Sequence, residues 1–190
     1  MKELSLHVLD IAENGISAGA SLITICIDET YKNNFIFISI KDNGHGIQEK
    51  MLPDITGNFI TSRTSKTSKI SGTTKRVGMG LSLLKVATQK CNGHFSINSV
   101  LNKGVCVQAS FEKGSIDIVP LGDMASSMIV LFTGYPDTDF NYTHIINEKK
   151  FTFDTRDIRV ELEDVPLNNP SVIKYLKEYL KEEINDLQKE

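Results

Sequence analysis

The chain has 190 residues, of which 40% are hydrophobic and 24% charged, with no Trp and a net charge of −3. That suffices for one well-buried domain with a small appendage, and it excludes collagen-like and disordered classes. No apolar run is long enough for a membrane span, and Glu3 interrupts the apolar stretch that a signal peptide would need. Cys26, Cys91 and Cys106 have neither CxxC spacing nor a companion His cluster. Free thiols in a reducing cytosol are expected, and a metal centre built on them is not.

Residues from about Lys2 to Ala18 read as a helix, with Leu4, Val8, Ile11 and Gly15 on one face. His7, Asp10, Asn14 and Ser17 form a narrow polar stripe on it. A solvated face is the bland account of such a stripe. Asp and Asn one turn apart, both poor helix formers, tilt it toward function. Leu22–Ile27 and Phe35–Ile40 read as strands joined by a polar hairpin loop.

Lys41-Asp42-Asn43-Gly44-His45-Gly46-Ile47 follows the second strand. Asn-Gly between strands is a strong hairpin signal, but the segment after it lacks the alternation of a returning strand. A buried strand that ends in a carboxylate and two glycines reads instead as a ligand edge, followed by a short helical piece from Gln48 to about Leu52. Thr56 to Arg76 is rich in Ser, Thr, Gly and Lys, and a lid is expected there.

Between Ile55 and Phe111 there is no Asp or Glu, while Arg63, Lys66, Lys69, Lys75, Arg76, Lys85, Lys90 and Lys103 are present. A one-signed segment in a near-neutral chain points to an anionic ligand. With few aromatics and no nucleic-acid motif there, a phosphorylated small molecule is favoured over DNA or RNA. Gly78-Met79-Gly80 opens a helix reaching about Cys91, and a glycine-led helix start offers free N–H groups to phosphate. His94–Val100 and Val105–Phe111 read as two more strands around an Asn102-Lys103-Gly104 turn. At least four strands with helices before and between them predict a two-layer α/β sandwich.

Three separated motifs agree at this point: Asp10-x-x-x-Asn14, Asp42-x-Gly44-x-Gly46 and Gly78-x-Gly80. They resemble the N, G1 and G2 boxes of the GHKL ATPases, the superfamily of gyrase B, MutL, the ninety-kilodalton heat-shock chaperones, histidine kinases and anti-sigma-factor serine kinases. The resemblance covers roughly the first 112 residues. It implies the Bergerat ATP-binding fold, a mixed, mainly antiparallel sheet with helices on one face. It also implies ATP and Mg²⁺ as cofactors and an ATPase or protein serine kinase as the activity.

By resemblance, Asp10 is the general base and Asn14 the Mg²⁺ ligand. Asp42 accepts from the adenine amino group, and Gly44, Gly46 and Ile47 lie against the base. Gly78, Gly80 and Leu81 hold phosphates, with Arg63, Thr64 and Arg76 (or Lys75) brought by a lid at about 56–77. Two departures stand out: Val105 follows Gly104 where the superfamily usually has Thr, and the lid is longer than in compact members. Asp10 is also one methylene shorter than the more usual Glu. With no phosphoacceptor His ahead of the N box, a complete histidine kinase is not expected. The chain looks most like small standalone bacterial members, including anti-sigma-factor kinases and ATP-binding proteins that accompany iron-only hydrogenases, which share continuations of the type Leu121-Gly122-Asp123-Met124.

The expected organisation is therefore an ATP-binding domain over 1–113 and an accessory α+β extension over 114–190. In the extension Ser127–Thr133 reads as an apolar strand, and Asn141–Ile146 with Lys150–Phe153 as a hairpin. A last helix starts at Asn169-Pro170. Its apolar face suits core or self-association into a homodimer. An unidentified protein partner is expected for the extension. An ATP-responsive interaction module without turnover is the alternative to an enzyme.

Overall fold

A computed structural model of the chain describes residues 2–30, 34–52 and 79–189. The elements are α1 (Leu4–Ser17), β1 (Leu22–Asp28), β2 (Phe35–Asp42), a 3-10 turn at Glu49–Met51, α2 (Met79–Lys90), β3 (Phe95–Val100) and β4 (Gly104–Glu112). Then follow α3 (Met124–Gly134), β5 (Asp139–Ile146), β6 (Lys149–Asp154), α4 (Thr155–Leu162) and α5 (Pro170–Gln188).

The strands form one sheet in the order β3-β4-β2-β1-β5-β6. All neighbours are antiparallel except β1 and β5, which run parallel. Alternation decides which face is buried. Ile23, Ile25 and Ile27 of β1 and Ile36, Ile38 and Ile40 of β2 are all buried, while Thr24, Cys26, Phe37 and Lys41 between them are not. Ile25 lies between Ile40 on one side and Tyr142 on the other. The mixed, mainly antiparallel sheet with helices packed on it is the α/β sandwich that the motifs imply.

Helix α1 turns Leu4, Val8, Ile11, Ala12 and Gly15 inward. Its first turn has no side-chain cap; the segment before α3 serves instead, with the N–H groups of Leu4 and Ser5 donating to the Pro120 and Leu121 carbonyls at 3.0 and 2.8 Å. Residues beyond the expected domain limit at 113 continue this sheet and core. Phe132 of α3 stacks on Phe153 of β6 at 5.2 Å and tilts against Phe140 of β5 at 5.4 Å. The face of α5 expected to serve core or self-association is buried at Val172, Leu176, Leu180 and Leu187.

One element departs from expectation. Ser127–Thr133 lies in helix α3, not in a strand. Asp123 caps the helix by accepting from the Ser126 N–H at 2.8 Å, and Met124, Met128, Leu131 and Phe132 are almost fully buried. A helix apolar on nearly all sides shows no clear 3.6-residue period, and a short apolar run then resembles a buried strand.

Polar groups buried beside β5 are paired. Tyr142, at 0% exposure, contacts His144 through its hydroxyl (2.8 Å to Nδ1), and His144 Nε2 meets Glu29 Oε1 at 2.8 Å. Cys26, Cys91 and Cys106 are free thiols, as expected. Among the described residues no helix is long and apolar enough to cross a membrane.

Candidate functional site

Strand β2 ends at Asp42, and among the described residues that follow, up to 52, no strand returns. Asp42 Oδ1 accepts the N–H of Gly44 at 2.9 Å and that of Val105 at 3.3 Å. The backbone of the residue that replaces the usual Thr therefore fixes the carboxylate even though the hydroxyl is missing. Among the described residues, both of these bonds go to Oδ1 and none to Oδ2. A carboxylate only accepts, which suits an exocyclic amino group and not a carbonyl.

The turn itself is held from three sides. Asn43 Oδ1 accepts from the N–H groups of Ser21 and Leu22 at 2.9 and 3.0 Å, and its Nδ2 donates to Ser21 Oγ. The N–H of His45 donates to the Ala18 carbonyl at 3.0 Å, and that of Ile47 to Ser99 Oγ at 2.7 Å. At Gly46, φ is +69° and a Cβ would stand 2.4 Å from the Val100 carbonyl oxygen, so only glycine fits.

Two further glycines set how the motifs meet. A Cβ on Gly15 of α1 would lie 2.8 Å from Asp42 Cβ and 2.9 Å from Ile23 Cδ1. The helix that carries Asp10 and Asn14 therefore crosses directly over the end of β2. A Cβ on Gly80 would lie 2.0 Å from Asp10 Oδ2, so the second residue of α2 is pressed against the Asp10 carboxylate. Helix α1 thus joins Asp42 at one end to the start of α2 at the other, with Asp10 and Asn14, both half-buried, between them. Burial pushes the Asp10 carboxyl above its ordinary range. Leu81 is buried, so its backbone N–H is what it offers at the first turn of α2.

Arg63, Thr64, Lys75, Arg76, Gly78 and the lid expected at 56–77 lie outside the described residues. The sequence expectation assigns no site role to Gly15, Asn43, Ser99 or the Val105 N–H. Only Gly15 left a signal, as a glycine inside a helix next to Asn14. No group of three His, Cys, Asp or Glu side chains able to hold a metal occurs among the described residues. The half-buried Asn14 carries an amide oxygen, a donor that fits a hard cation keeping water and phosphate oxygens as its other ligands.

A strand-end carboxylate, a polar helix stripe and the start of α2 meet along α1, on an α/β sandwich. The chain belongs to the family of histidine kinase-, DNA gyrase B- and HSP90-like ATPases, whose model matches residues 2–115. That region is an ATP-binding domain of the family. A putative sensor protein of Shewanella frigidimarina (strain NCIMB 400) is 28% identical over 111 residues, 58% of this chain and 16% of that protein. The sensor histidine kinase WalK of Bacillus subtilis (strain 168) is 29% identical over 85 residues, 45% of this chain and 13% of WalK. The chain thus matches under a fifth of the length of either relative. Among solved structures, the N-terminal domain of a DNA repair protein aligns with a TM-score of 0.50 and 16% identity, over 80% of this chain and 52% of that one. At that identity the likeness shows the fold alone.

Proposed function

We propose that the chain binds ATP with Mg²⁺ in the pocket between Asp42 and α2. It then hydrolyses ATP slowly or passes the γ-phosphoryl group to a Ser or Thr of a partner protein. The observation that carries this reading is the α1 bridge: Gly15 against Asp42, Gly80 against Asp10, and Asn14 between. Asp42 Oδ2 would accept from the adenine amino group, and guanine, with a carbonyl there, would be disfavoured. The first N–H groups of α2 would face phosphate oxygens.

Asn14 would hold Mg²⁺, which neutralises phosphate charge when bound. The attacking water or hydroxyl would give its proton to Asp10 as the new P–O bond forms, and the bond to the leaving ADP oxygen would break with its electron pair. The raised affinity of Asp10 for a proton suits that role. Closure of the cationic 56–77 segment over the phosphates belongs to the proposal, and its support is composition.

A second reading, an ATP-responsive interaction module without turnover, is favoured by the short Asp10 side chain in place of Glu. γ-Labelled ATP with Mg²⁺, incubated with the protein in its own cell extract, separates the two. The enzyme reading expects label on free phosphate or on a protein. Asp10→Asn should keep ATP binding and lose roughly 100-fold or more of the turnover. Turnover unchanged in Asp10→Asn would remove Asp10 from the mechanism. Binding with no turnover in the wild type would establish the module.

A further inference from the structure

A second cavity, of about 220 Å³, opens between α1, α2 and the segment after β4. None of Asp10, Asn14, Asp42 or Gly80 lines it. Leu4 and Phe111, both essentially fully buried, contribute to its lining, and Leu83 and Val86 of α2, 44% and 38% exposed, form a side open to water. The exposed Lys90 and Asp117 also line it, one charge of each sign, so neither anions nor cations are favoured by the local field.

His7 lines the same cavity and is only 3% exposed. Its Nδ1 is the one buried side-chain nitrogen or oxygen without a hydrogen-bond partner among the described residues. Native proteins rarely leave such an atom unpaired. A cavity lined mainly by apolar side chains, with one unsatisfied polar group in its buried wall, is how small-ligand sites are built. Burial, reinforced by the N-terminal ammonium, lowers the imidazole to about 4, so the ring is neutral at pH 7. A charged ligand group would lose its hydration beside a neutral ring, whereas a hydroxyl pairs with either imidazole tautomer. A cavity of about 150 Å³ holds a benzene molecule. This one accommodates a single ring with one substituent.

We propose that the cavity binds a phenol, free or as the tyrosine side chain of a partner, with its ring against Phe111, Leu83 and Val86 and its hydroxyl on His7 Nδ1. The test is NMR titration of the full chain with p-cresol, toluene and N-acetyl-tyrosinamide, in the absence of nucleotide, so that failure here leaves the ATP reading standing. p-Cresol should give saturable shifts at Leu83 and Val86, and toluene should bind at least about tenfold more weakly, since a site that hydrogen-bonds a hydroxyl rejects the analogue lacking it. His7→Phe should abolish that difference. Val86→Trp, at an exposed position, should block both ligands while the protein still melts cooperatively. Saturation of the same signals by N-acetyl-tyrosinamide supports a partner's tyrosine; saturation by p-cresol alone supports a free phenol. Equal binding of toluene and p-cresol, shifts that persist in Val86→Trp, or the absence of p-cresol binding would overturn the proposal.

Discussion

At Asp42 the fold fixes one carboxylate oxygen, and the other is proposed to accept from the adenine. Oδ1 is fixed by two backbone N–H groups, so the side chain does not have to be ordered when a nucleotide arrives. His7 shows the opposite situation, a polar group buried without a partner. Its lowered pKa has a consequence for stability. The unfolded imidazole takes up a proton below its ordinary value of about 6.5, while the folded one stays neutral down to about 4. Stability is therefore unaffected by His7 above about pH 6.5, and falls as pH drops through that window by up to about 3 kcal/mol. Asp10, whose carboxyl is raised by burial, acts in the opposite sense. Urea midpoints at pH 7 and pH 4.5 should fall more for wild type than for His7→Phe; an equal fall in both would contradict this. At this scale the sequence singled out Asp10, Asn14 and Asp42 as side chains, and the structure places the first two on α1 and the third at the end of β2. The sequence was silent about Ser99 and the Val105 N–H, whose roles depend on which strands lie side by side.

Helix α1 is the element on which the site depends. It supplies two residues of the proposed site, and it approaches β2 closely because position 15 has no side chain. Gly15→Ala would place a methyl group 2.8 Å from Asp42 Cβ. Overpacking of this kind costs about 1–3 kcal/mol. Thermal unfolding should show that loss, and ATP affinity should fall with it as Asp42 is pushed aside. A variant with wild-type melting temperature and affinity would mean that α1 does not bear on Asp42. A glycine start gave away α2, and β-rich apolar runs the strands, whereas periodicity found α1 and the apolar face of α5. It failed at α3, where burial is nearly all round, although Asp123 before Ser126 is a helix-start signal in the sequence.

At the scale of the molecule, the sheet does not stop where the family match ends. β5 pairs with β1 along seven register positions, from Leu22 with Asp139 to Asp28 with Ile145. Helix α3 packs against α1 in the same core. Removing residues 116–190 would open the β1 edge and expose the apolar flank of α1. The shortened chain is expected to lose its cooperative melt by circular dichroism and to aggregate. A sharp transition at the wild-type temperature would show that residues 1–115 fold alone. The α/β sandwich was legible from alternating elements and three motifs. The joining of the C-terminal strands to the same sheet was not, because parallel pairing across more than a hundred residues leaves no local pattern.

The central claim is that Asp42 reads the adenine of a bound nucleotide, and calorimetric titration of ATP and GTP with Mg²⁺ into wild type and Asp42→Ala tests it directly. The account predicts that wild type binds ATP in preference to GTP, and that Asp42→Ala weakens ATP by at least about tenfold, the loss of a charge-assisted hydrogen bond. ATP affinity undiminished in Asp42→Ala, with its melting temperature unchanged, would contradict it.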